Sequence, residues 1–236
     1  RLCAGRRPLG RGKTRSRVAE IRWDWIERNG DEIVGHTLDH LALVSTSMAI
    51  AIAVSVPVGV LVRGRRVPFA AATAVSGALY TIPSLAMFAF LLAFFGIGFA
   101  PAVAALVLYS LLILIRNTVV GLEGVPRPVL EAARGMGLTP WQTLVRVELP
   151  LALPAIMAGI RLATVSTVGI ATIAVLIGAG GLGVPIYNDG VQRGLFLTPI
   201  VVGTVIATAM AIALDLLLMG AERALTPWQR ARAGGR

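Results

Sequence analysis

Glu131-Ala132-Ala133-Arg134-Gly135-Met136-Gly137 is followed, after nine further residues, by Val147-Glu148-Leu149-Pro150. Both segments lie in the one long polar interval of a chain otherwise dominated by apolar runs, residues 121–150. The interval has a small local fold written into it. Residues 130–136 favour a short helix that exposes small alanines on one side. Gly137 can close it with a left-handed cap, because glycine adopts positive φ without a Cβ clash. Thr139 suits the N-cap and Pro140 the first position of a second helix. Pro150 and Pro154 then mark entry into the next apolar run. A short helix with a small-residue face fits a groove on a partner.

Outward from this interval the chain is read as membrane spans. Apolar runs cover about residues 41–62, 68–95, 99–120, 151–177 and 196–220. A helix crossing the hydrocarbon needs about 20 mostly apolar residues, and each run reaches that length. The runs do not alternate apolar and polar, so barrel strands are excluded. The remaining connectors, residues 63–67, 96–98 and 178–195, are short. Composition agrees: 56% of the 236 residues are hydrophobic and 14% charged, against about 45–50% and about 25% in soluble domains. The expected fold is an all-α membrane protein with five transmembrane helices and a long cytoplasmic loop. Residues 1–35 read as a basic tail and interfacial segment, 36–225 as the transmembrane domain and 226–236 as a basic cytoplasmic tail.

Basic residues set the orientation. Arg63, Arg65 and Arg66, then Arg127, Arg134 and Arg146, then Arg223, Arg230, Arg232 and Arg236 fall on one side of a five-span chain. That side is expected to be cytoplasmic, and it carries the loop and the C-terminus. The opposite connectors hold only Arg193. The N-terminal tail breaks the rule. Seven of the net +10 charges lie in residues 1–17, and the chain begins at Arg1 rather than a methionine. This leaves open a fragment or translated sequence upstream of the true start, or a further element before residue 41. Residues 18–40, with Ile21, Trp25, Ile26 and Ile33 among charges, read as a helix at the interface. A basic tail without interleaved aromatics is not a nucleic-acid signature.

The interval resembles the Glu-Ala-Ala loop of ABC importer permeases: Glu-Ala-Ala, three residues, Gly, nine residues, then Ile-x-Leu-Pro. Glu131, Ala132, Ala133, Gly137, Leu149 and Pro150 match, and Val147 stands for the isoleucine. The resemblance implies a type I ABC importer permease fold, with residues 131–137 as a coupling helix docking on a separate ATPase. It spreads over roughly residues 36–219. Thr81-Ile82-Pro83-Ser84-Leu85-Ala86, Ile115-Arg116-Asn117-Thr118, residues 135–142 and residues 176–183 are similar to the osmoprotectant branch. That branch imports glycine betaine, choline, carnitine or related quaternary ammonium compounds. The methionine-importer branch is the nearest rival.

Gly178-x-Gly180-x-x-Gly183 matches a dinucleotide fingerprint, yet no βαβ unit surrounds it; a flexible extracytoplasmic turn that meets a binding protein suits it better. Gly12-Lys13-Thr14 lacks the upstream glycine of a P-loop, since Arg7 stands there. The chain is therefore read as a transport subunit rather than an enzyme, with no cofactor and no metal of its own. ATP and Mg would sit on the partner ATPase. His36 and His40 are too few for a metal site and read as a solvated pre-membrane helix. The single cysteine, Cys3, excludes an internal disulfide.

Charged residues inside spans are functional candidates. Arg161 and Asp215 are expected either to pair across the fourth and fifth spans or to lie in the headgroup zone. Thr81, Ser84, Tyr109 and Asn117 are candidates for lining the pathway or for interhelical hydrogen bonding. Pro83 interrupts the second span. The spans are poor in aromatics, so solute selection is expected in an external binding protein. The expected assembly adds two ATPase subunits, that binding protein and a second permease copy or paralogue in the bacterial plasma membrane, working by alternating access. Two rivals lack support. An intramembrane enzyme needs paired His or carboxylates at span depth. An ion-coupled secondary transporter needs inverted repeats and midplane carboxylates.

Overall fold

A computed structural model describes residues 21–228, and these form helices joined by short turns. The order is α1 (Trp23–Arg28), α2 (Gly30–Val62), α3 (Arg66–Thr81), α4 (Ser84–Phe95), α5 (Phe99–Glu123), α6 (Arg127–Gly135), α7 (Pro140–Thr143), α8 (Leu149–Ala171) and α9 (Leu197–Leu225). A wide turn, Leu144–Glu148, joins α7 to α8, so that Pro140–Ile177 runs on as one 38-residue helical rod. The basic N-terminal tail, the Gly12-Lys13-Thr14 pattern and residues 229–236 of the C-terminal tail lie outside the described residues.

Four segments are long and apolar enough to cross a membrane alone: α2, α5, Pro140–Ile177 and α9. The fifth crossing is broken. α3 and α4 meet at 100° around Ile82-Pro83, where proline supplies no backbone donor and ends the helix before it. The pair still crosses completely. At its start Gly64 donates its backbone N–H to Glu123, the last residue of α5, over 3.0 Å. At its end Gly98 caps the first turn of α5. The two ends of the pair thus reach opposite ends of one spanning helix, and the chain has five crossings.

α5 is the axis of the bundle, packed between α2 and α8. Transfer from lipid gives helices little reason to associate, so close packing and hydrogen bonds must do it. Glycines make that approach available. A Cβ on Gly59 would lie 2.6 Å from Thr118 of α5, and one on Gly121 would lie 2.8 Å from the Ala152 carbonyl of α8. Buried hydroxyls join the same seam: Ser110 and Thr167 are 3.2 Å apart, beside the Met48 sulfur. α9 is peripheral and buries only Thr198, Pro199, Gly203 and Ala207.

One sequence expectation needs correction here. Residues 30–40 do not form a separate interfacial helix; they are the first three turns of α2, which at 33 residues is about 50 Å long. Only α1 stands apart, held by an edge-to-face contact of Trp25 with Phe196 and by the Arg22 amide donating to Thr198. Pro150 stands in the first turn of α8 and Pro154 inside it, where the sequence places the entry into the next apolar run. The Leu144–Glu148 turn bonds five residues back, with the Leu149 amide reaching the Leu144 carbonyl. Such a widened turn accommodates the missing donor and ring bulk of Pro150 without a break.

Candidate functional site

The polar interval folds as a compact hook beyond the ends of α5 and α8. Pro126 and Pro128 frame the entry to α6, where fixed φ values suit a helix start. The helix closes at Gly137, whose φ is +81°. The Gly137 amide donates to the Arg134 carbonyl (2.9 Å) and the Leu138 amide to the Ala133 carbonyl (3.1 Å). This paired closure satisfies the last carbonyls of the helix. Two residues on, Thr139 and Gln142 cap α7 reciprocally: the Gln142 amide donates to the Thr139 hydroxyl (3.3 Å), and the Thr139 amide to the Gln142 side chain (2.9 Å).

Of the residues matched to the loop pattern, Glu131, Ala132 and Gly137 are exposed, while Leu149 and Pro150 are half-buried in the rod below. Ala133 is a correction. It faces inward and is 1% exposed. The exposed face instead adds two large apolar side chains, Met136 (72% exposed) and Trp141 (71%). Exposed apolar side chains of this size beside a capped helix are the type of surface that interfaces between proteins use.

The hook is tied to the first span by residues that sequence patterns did not single out. Arg63, at the end of α2, pairs with Glu148 over 3.0 Å, and both are largely shielded. Glu148 belongs to the Val147-Glu148-Leu149-Pro150 signature, and its partner lies 85 residues away. Behind α6 a cleft of about 280 Å³ is lined by Arg63, Arg134, Leu138, Pro140, Thr143 and Glu148. The buried Thr143 hydroxyl has no hydrogen-bond partner among the described residues.

The candidate pathway residues separate into two groups. Thr81, Ser84 and Tyr109 come together at the break of the second crossing. The Tyr109 hydroxyl donates to the Ile82 carbonyl over 2.5 Å, and the Thr81 hydroxyl to the Ala78 carbonyl over 2.7 Å. Asn117 stands two turns further along α5. It packs against Gly159 of α8, where a Cβ would sit 2.5 Å from its own, and its amide donates to the Ile113 carbonyl. Its position is a helix–helix seam. Arg161 and Asp215 meet directly: Arg161 Nε and Nη2 donate to the two carboxylate oxygens over 2.8 and 2.9 Å, and Glu222 lies 3.6 Å from Nη1. This fork joins α8 to the otherwise peripheral α9.

At the opposite end of the bundle two further readings change. His40 is fully buried rather than solvated, with Nε2 3.1 Å from the Val168 carbonyl and Nδ1 accepting the Leu182 amide over 3.3 Å. His36 is half-buried, and no group of three His, Cys, Asp or Glu side chains gathers among the described residues. The Gly178-x-Gly180-x-x-Gly183 turn is packed rather than flexible. A Cβ on Gly183 would lie 2.1 Å from the Thr172 carbonyl, and Gly181, at φ +75°, sits against the His40 ring. The signal missed in the sequence was this pairing across about 140 residues, which no local pattern records.

Residues 46–231 match the family model described as the binding-protein-dependent transport system inner membrane component. The osmoprotectant import permease protein OsmW of Salmonella typhimurium is 42% identical over 207 residues, 84% of this chain and 94% of that protein. The carnitine transport permease protein OpuCB of Listeria monocytogenes is 40% identical over 216 residues, 89% and 97%. The choline transport system permease protein OpuBB of Bacillus subtilis is 38% identical over 206 residues, 86% and 93%. Among solved structures, an inward-facing form of the MetNI methionine ABC transporter superposes with a TM-score of 0.71 at 25% identity, covering 82% of this chain and 96% of that one.

Proposed function

The chain belongs to the family of binding-protein-dependent transport system inner membrane components, and from that premise we propose that it imports a quaternary ammonium osmoprotectant such as glycine betaine, choline or carnitine. It is a multi-pass inner-membrane permease subunit with the all-helical type I importer fold. The solute reading is supported by relatives at 38–42% identity over most of the chain, all named for osmoprotectant, carnitine or choline transport. The likeness to the methionine transporter is one of fold.

The observation that carries the mechanism is the capped hook with Met136 and Trp141 on its surface. In this reading α6 docks on a nucleotide-binding subunit. Glu131, Ala132 and Gly137 contribute to the contact or its shape, while Leu149 and Pro150 connect it to the α8 rod. ATP-driven closure moves α6. The Arg63–Glu148 pair and the continuous Pro140–Ile177 rod carry that motion into the bundle, without a flexible joint to absorb it. Arg63, Arg65, Arg66, Arg127, Arg134, Arg146 and Arg223 gather at the hook end, which supports reading that end as cytoplasmic. A substrate-binding protein meets the other end, around the locked 178–183 turn. A second permease copy or paralogue completes the pathway. Thr81, Ser84 and Tyr109 border it, ATP and Mg are held by the ATPase, and no chemistry occurs in this chain.

The test is uptake of labelled choline or glycine betaine by proteoliposomes holding the permease, its ATPase and its binding protein. Uptake should require hydrolysable ATP. Uptake that persists without ATP would remove the mechanism, and the absence of uptake of any quaternary ammonium compound would remove the solute assignment.

A further inference from the structure

We propose that the break between α3 and α4 is a mid-membrane transit site for the quaternary ammonium group of the solute, with Tyr80 as its contact residue; this rests on the solute class proposed above. Tyr109, which adjoins the break, stands about 15 Å from the Phe99 end of α5 and about 21 Å from its Glu123 end. The break is therefore near the middle of the bilayer.

Its backbone cannot face lipid. Pro83 has no N–H, the Ile82 amide turns back to Leu79, and the Ile82 carbonyl accepts the Tyr109 hydroxyl. Among the described residues the carbonyls of Tyr80 and Thr81 receive no hydrogen bond, although Tyr80 is 42% exposed and Thr81 is exposed as well. Open carbonyls at this depth are stable only against protein or a water-filled cavity, since lipid offers no donor. The Tyr80 hydroxyl also has no hydrogen-bond partner among the described residues. A donor and two acceptors left open on one mid-depth surface mark an aqueous lining.

The surface has the right electrostatics for a cation that sheds water easily. The Tyr80 and Tyr109 rings meet edge to face, with centroids 6.0 Å apart at 78°, so one ring face stays available. Aromatic faces attract quaternary ammonium groups. The C-terminal end of the 16-residue α3, with its carbonyls pointing out, adds a fixed negative potential. No carboxylate stands at the break. That suits a transit site, which must bind weakly enough to release. Tyr109, held by its bond to Ile82, is the positioning residue for this corner. The second exposed aromatic pair, Phe90–Phe94 at 5.1 Å, lies in the last turns of α4, toward the 96–98 connector and away from the mid-depth break, so it serves as the contrast.

The experiment uses the full complex in proteoliposomes, with the binding protein saturated by labelled choline. Tyr80→Leu should slow choline entry about tenfold, the scale of a partly desolvated cation–π contact. Binding-protein-stimulated ATP hydrolysis should persist. Tyr80→Trp should keep most of the transport, and Phe90→Leu should keep all of it. Wild-type entry rates in Tyr80→Leu would overturn the proposal. So would parallel loss of transport and ATP hydrolysis in both Tyr80 variants, because that pattern marks a structural residue. A wild-type complex that carries no quaternary ammonium compound would refute the solute reading itself, a result distinguishable from either of these.

Discussion

Replacing Gly137 with alanine isolates one physical term at the proposed docking segment. Gly137 has φ +81°, and a Cβ placed there would meet no atom within 4 Å. No clash contributes, so the cost is that of holding an L-residue in the left-handed region, about 1–2 kcal/mol. That lowers the population of correctly capped α6 roughly 5- to 30-fold. Asparagine tolerates the region better and should lose less; valine should lose more. Gly135, two residues earlier, has equally open surroundings but an ordinary helical backbone. There alanine should tighten α6 by about 0.5–1 kcal/mol. Hydrogen exchange on the permease in nanodiscs reads the effect directly, through the amides of Gly137 and Leu138. Coupling follows from ATP hydrolysis stimulated by loaded binding protein in the complex. Unchanged protection in Gly137→Ala, or equal loss in both glycine variants, would refute the cap as the element that shapes the docking segment.

Two other outcomes follow from the packing. Gly183→Ala should prevent assembly of the 172–183 turn, because its Cβ would meet the Thr172 carbonyl at 2.1 Å, whereas Gly77→Ala, inside α3 with nothing within 4 Å, should leave stability unchanged or slightly raised; detergent-extracted yield and thermal stability separate the two. Arg161→Asp and Asp215→Arg should each loosen α9 from α8, and the double reversal should recover much of the loss in stability and uptake. Recovery of nothing would mean that the fork does not hold the two helices together.

Much of this was legible in the sequence because it is local. Runs of about 20 apolar residues announce spans whatever they pack against, and Gly137, Thr139 and Pro140 carry their turn chemistry within four residues. Pro83 announced an interruption. It could not announce a 100° bend, which depends on α5 lying alongside and on Tyr109 reaching the Ile82 carbonyl. His40 sits among polar neighbours, and only the distant Gly181-Leu182 backbone makes its site a buried one. Ala133 and Ala132 are indistinguishable by composition, yet Ala133 is buried and Ala132 exposed. In the sequence Arg63 serves only as an orientation charge and Glu148 only as part of the Val147–Pro150 signature; their helices place them 3.0 Å apart. Tyr80 passed unnoticed because its meaning lies in the unsatisfied carbonyls beside it.

The hook should meet the ATPase while the opposite end of the bundle does not. A photo-reactive amino acid at Met136, 72% exposed on the hook, and another at Ile97, 82% exposed in the 96–98 connector, test it within one assembled complex. Met136 should join covalently to the nucleotide-binding subunit, with a yield that changes on ATP binding, and Ile97 should not. An ATPase adduct from Ile97 and none from Met136 would contradict it.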